Sequence, residues 1–107
     1  MRLNIFSIHD RASGAFMRPW FARSDQEAMR EFDNLAVNAE HPIGQHPKDY
    51  TLFRIGTFDD NKGTIVGEQP EGLANALERA SAQQTVNKEQ LEIFDKELND
   101  DNYGGTK

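Results

Sequence analysis

At 107 residues, with 36% hydrophobic positions, the chain has room for one domain with a modest core and none for two. It contains no cysteine, which excludes disulfides, zinc–thiolate sites and thiol catalysis. The net charge of −6 is uneven: residues 1–57 hold seven Lys/Arg against seven Asp/Glu, residues 58–107 five against eleven. That balance argues against a uniformly basic nucleic-acid binder and leaves a local basic face on the first half open. With no apolar h-region at the start and no apolar run near ~18 residues, neither a secretory signal nor a membrane span is expected. The lack of cysteine suits a reducing cytoplasm.

Arg2–His9, with Ile5, Phe6 and Ile8, reads as a strand. Asp10 to Gly14 is a turn, and Ala15–Ala22 returns as a second strand. Pro19 cannot donate to a ladder, so this strand belongs at an edge or carries a bulge. Ser24-Asp25-Gln26-Glu27 is a capping box, opening a helix whose Ala28, Met29, Phe32, Leu35 and Ala36 share one face and which ends near Asn38. Glu40–Lys48, with two prolines and a glycine, reads as a loop. It leads to the densest β-forming run, Tyr50–Phe58, and Asp60 to Gly63 then turns the chain into Thr64–Gly67.

Pro70-Glu71 is expected to open a second helix, with Leu73, Ala74, Ala76, Leu77 and Ala80 as its stripe. After a polar break at Ser81–Thr85, a third begins near Asn87, where Leu91, Phe94 and Leu98 recur at i, i+3 and i+7 with Ile93 beside them. The two halves run in parallel, Phe6-Ser7-Ile8 against Phe53-Arg54-Ile55, each followed by a turn ending in glycine, a strand and a helix. The expected architecture is therefore α+β. An antiparallel sheet of about four strands is built from two ββα units over residues 1–80, with a C-terminal amphipathic helix over 81–98 and a flexible acidic tail over 99–107.

Chemistry is sparse. His41 and His46, with Asp49 close by, match no standard ligand spacing, so loop histidines are expected rather than a metal site. His9 ends a strand beside Asp10, where a turn hydrogen bond is expected. Counted from Asp59, the glycine and position twelve (Pro70) both miss the calcium-loop pattern. No phosphate loop, nucleophile elbow or Ser/His/Asp spacing is present, so neither an enzyme nor a cofactor is expected.

The one binding constellation is Arg11, Phe16, Arg18, Trp20, Phe21 and Arg23, arginines interleaved with aromatics as a single-stranded nucleic-acid surface requires. Strict alternation puts Phe16, Arg18 and Trp20 on one face and Met17 and Phe21 on the other, with Pro19 disturbing the phase. The competing reading makes one aromatic set core and lets the arginines keep the edge soluble. The Leu91/Phe94/Leu98 stripe points to a protein partner or a homodimer.

Ile5–Asp10, Phe16–Phe21 and His46–Phe53, with Gly56, Phe58, Asp59 and Asp60, resemble the small non-structural protein of gokushoviruses, single-stranded DNA phages of the Microviridae. The resemblance covers residues 2–67 and is most specific at His46–Asp60. It implies a DNA-binding factor for single-stranded genome synthesis or packaging in the bacterial host cytoplasm, and it brings no catalytic or binding residues with it. The rival role is an adaptor or scaffold acting on host or viral protein through the Leu91/Phe94/Leu98 helix.

Overall fold

The computed structural model describes residues 1–83. They form one antiparallel sheet of five strands: β1 (Arg2–Asp10), β2 (Ala15–Phe16), β3 (Trp20–Ala22), β4 (Tyr50–Asp59) and β5 (Thr64–Asn75). The order is β2-β1-β4-β5, with β3 also pairing β1. The strongest β-forming runs, β1 and β4, thus take the centre, where each strand is paired on both sides. The helices are α1 (Asp25–Ala36), the single-turn α2 (Pro42–Gln45) and α3 over residues 76–83, and Pro47–Asp49 adds a 3₁₀ turn.

Local chemistry sets the turns. Asp10 Oδ1 accepts the Ala12 N–H at 2.9 Å, and Gly14 closes the first hairpin at φ 73°. Asp59 Oδ1 accepts the N–H groups of Asn61 and Lys62, and Gly63 takes φ 69°. At α1, Ser24 Oγ accepts the Glu27 N–H at 3.1 Å. The reciprocal bond of the capping box goes one residue further back than expected, from Arg23 N–H to Glu27 Oε2.

The core lies on one face of the sheet. Phe6, Ile8 and Leu52 meet Ala28, Phe32 and Ala36 of α1, Ile43 of α2, and Ala76 and Ala80 of α3. Phe6, Phe32, Ile43 and Leu52 are fully buried, each worth about 1.5–3 kcal/mol relative to exposure. The α1–α3 contact is clamped by Arg79, whose Nε and Nη2 donate to the two oxygens of Asp33, both at 2.7 Å. Arg54 donates to Asp25 of α1 and to Glu71 of β5.

Four expectations need correction. The helix expected at Pro70 is strand: β5 continues to Asn75, held by Glu71↔Arg54 and Ala74↔Leu52 pairing, and Pro70 sits where the β4–β5 register shifts. The helix starts at 76 because Asn75 Oδ1 caps the Leu77 N–H at 2.9 Å. The polar break expected from Ser81 is helical through 83. The strand expected over Ala15–Ala22 is split into β2 and β3, and the Glu40–Lys48 loop contains α2, capped by His41 Nδ1 accepting from Ile43 N–H at 3.1 Å. The helix placed over 87–98 and the tail lie outside the described residues.

Candidate functional site

The split between β2 and β3 reorganises the expected binding constellation. Phe16 pairs with His9 and Trp20 with Phe6, so four steps on the outer chain oppose three on β1. One extra residue inverts the side-chain alternation. Pro19 lacks an N–H, and Met17 N–H reaches back to Ile8 O at 2.8 Å. Phe16 and Trp20 therefore stand on opposite faces, which overturns the expectation that they share one with Arg18. Phe16 and Phe21 share the face turned away from the core.

On that outer face the rings form two groups. His9, Phe16 and Phe53 meet edge to face, with centroids 4.9 Å apart for His9–Phe16 and 5.3 Å for Phe16–Phe53. Further along, Phe21 meets Phe58 at 5.3 Å and 76°. No described helix packs here, and Phe16 and Phe21 are 43% and 45% exposed. The registered residues on this face include no Lys, Arg, Asp or Glu, since Leu3, Ile5, Ser7 and His9 of β1 oppose Phe58, Gly56, Phe53 and Thr51 of β4. His9, expected to make a turn hydrogen bond, instead joins an aromatic group, and the turn bond is made by Asp10.

The arginines lie along the adjoining edge. Arg11, Arg18 and Arg23 are all exposed, and residues 11–23 contain no acid. Arg11 Nη2 is 2.9 Å from Asp49 Oδ1, with the Arg11 side chain 71% exposed, so this pair adds little stability. Arg18 and Arg23 form no ion pair among the described residues.

Trp20 belongs to the core side. Its ring lies 6.0 Å from Phe6, and its Nε1 is buried without a partner. It walls a pocket of about 230 Å³ that opens where β2 and β3 part, lined by Ile8, Met17 and Arg18, by Glu31 and Leu35 of α1, and by His41 and Ile43.

The shifted ionisations are structural. The hydrogen bond to Asp25 holds the Arg54 guanidinium above its ordinary range against desolvation, and the one to Asp33 does the same for Arg79. Burial, followed by the charges of Asp10 and Asp49, raises the Tyr50 phenol.

Sequence reasoning found Phe16, Phe21 and the arginines but missed Phe53, Phe58 and His9 as surface partners. The alternation Thr51, Phe53 in β4 was the available signal, hidden because Leu52 and Phe53 are both apolar and the register shifts between Arg54 and Gly56. Leu91, Phe94 and Leu98 lie outside the described residues. Among the described residues, no group of three or more His, Cys, Asp or Glu is placed to hold a metal, and no helix is long and apolar enough to cross a membrane.

No curated protein and no solved structure matches the chain. A family model does match, over residues 3–79, which takes in all of the sheet but Arg2, α1, α2 and the start of α3. By that match this chain, with its ringed outer face and arginine edge, belongs to the phage ORF5 protein family.

Proposed function

We propose that this phage protein is a non-enzymatic accessory factor of the gokushovirus kind that binds single-stranded DNA during genome synthesis or packaging in the host cytoplasm. The observation that carries this reading is the uncharged outer face with Phe16 and Phe21 exposed, bordered by Arg11, Arg18 and Arg23. Single strands are held by rings that stack on bases beside cations that track phosphates. The edge-to-face pairing with Phe53 and Phe58 holds the two exposed rings in place before a strand arrives. Titrating a fluorescent thymine oligonucleotide by anisotropy tests it. Binding should fall steeply with salt and weaken in Phe16→Ala with Phe21→Ala. No binding at low salt overturns it.

A second reading, a protein adaptor, has its own support in β5. This strand is the free edge opposite the arginines, and its Ile65 and Val66 are 62% and 57% exposed. An open edge of this kind accepts an added strand from a partner. Pull-down with Ile65→Lys against the unaltered chain separates the readings, because that change leaves the arginine edge untouched.

A further inference from the structure

The pocket at the parting of β2 and β3 lies outside the sheet face used above, and its chemistry is specific. Its walls are apolar and partly flat: Ile8, Met17, Leu35, Ile43 and the Trp20 indole. Three polar groups break that lining: Arg18, Glu31 and His41. His41 Nδ1 is occupied as the acceptor for the Ile43 N–H, so in the neutral ring the proton sits on Nε2, a donor.

At about 230 Å³ the space is smaller than the ~300 Å³ at which drug-sized sites begin. Its occupant is one small, planar, amphipathic group. It must offer an acceptor to the His41 Nε2–H and a donor to the Glu31 carboxylate. An anion attached outside would meet the exposed Arg18 guanidinium. A nucleobase carrying an exocyclic amine, with its phosphate at the mouth, meets all of these conditions.

We infer that this pocket is a nucleobase subsite, selective for amine-bearing bases through Glu31 and for the attached phosphate through Arg18. It extends the single-stranded DNA reading by naming where one base leaves the stack, and it rests on that reading for the source of the base. The ladder break at Met17–Pro19 then has a purpose, because a continuous strand there would close the opening. Free nucleotide and a base on a strand present the same chemistry.

Trp20 is the sole tryptophan of the chain, so its fluorescence reports the pocket directly. The full chain is titrated with dAMP, dCMP and TMP. Saturable quenching is expected, with dAMP and dCMP binding about tenfold tighter than TMP. Glu31→Ala, a change on an exposed helix position, should erase that preference. Arg18→Ala should weaken dAMP while leaving deoxyadenosine unchanged. No quenching by any nucleotide at millimolar concentration overturns the inference, as does quenching indifferent to Glu31→Ala.

A thymine oligonucleotide with one internal adenine, compared with the all-thymine strand, identifies the source. Tighter binding of the mixed strand places a strand base in the pocket. Equal binding alongside dAMP quenching makes the ligand a free nucleotide and overturns the strand subsite. Binding of the all-thymine strand without mononucleotide quenching removes the pocket but leaves the outer-face reading standing. Mononucleotide quenching without strand binding does the reverse.

Discussion

At one edge of the sheet, β2 and β3 contribute two and three residues around a proline-broken gap, and the adjoining chain carries three exposed arginines. At the other, β5 runs for twelve residues with two glutamates and no base. The short edge offers few free backbone groups, so whatever it recognises is recognised by side chains. The long edge is open to backbone pairing, and its protection comes from Pro70, Glu68 and the register shift between Gly67 and Glu71. One sheet thus presents a side-chain surface on one margin and a backbone surface on the other.

The largest effect should come from removing the rings at the short edge. Phe16→Ala and Phe21→Ala should each cost about 1–3 kcal/mol of single-stranded DNA affinity, read by anisotropy, with the salt slope retained. A comparable loss of affinity in Ile65→Lys would show that the two margins do not divide the work. Next, Arg54→Ala should lower stability by about 1–3 kcal/mol in urea unfolding. It releases Asp25 and Glu71 together and unties the acidic margin from α1. Oligonucleotide binding by the folded fraction should survive that change.

Smaller again, Arg18→Ala should reduce the slope of log K against log salt by about one, the signature of a single phosphate contact. The smallest concerns Tyr50, at the start of β4 beside the Arg11–Asp49 pair. Its phenol is raised above the ordinary 10.0, so the neutral form is favoured by folding. That contribution is complete below pH 10.0 and is lost as pH rises through the higher folded value. Tyr50→Phe should flatten the alkaline arm of the stability curve while leaving neutral stability nearly unchanged.

Much of the fold was legible in the residues. The hairpin glycines Gly14 and Gly63, the Ser24 cap and the β1 and β4 runs are decided by local chemistry, and each formed where that chemistry placed it. The failure at Pro70 is instructive. Proline followed by glutamate is a good helix start, but Asn75 with Glu78 three residues later is a start too, and pairing with β4 chose between them. Asn75 is held further by its Nδ2 donating to the carbonyls of Lys48 and Tyr50, which no sequence pattern announces.

The sequence by itself determined the strands β1 and β4, the capped helix α1, where the arginines and rings occur, and that the sheet is antiparallel with short turns. It did so because caps, turns and periodicity act within a few residues. Only the tertiary structure decided that one extra residue between Phe16 and Trp20 sends two neighbouring rings to opposite faces. That residue count is measured against β1, so the outer platform and the pocket behind it exist only once the strands pair.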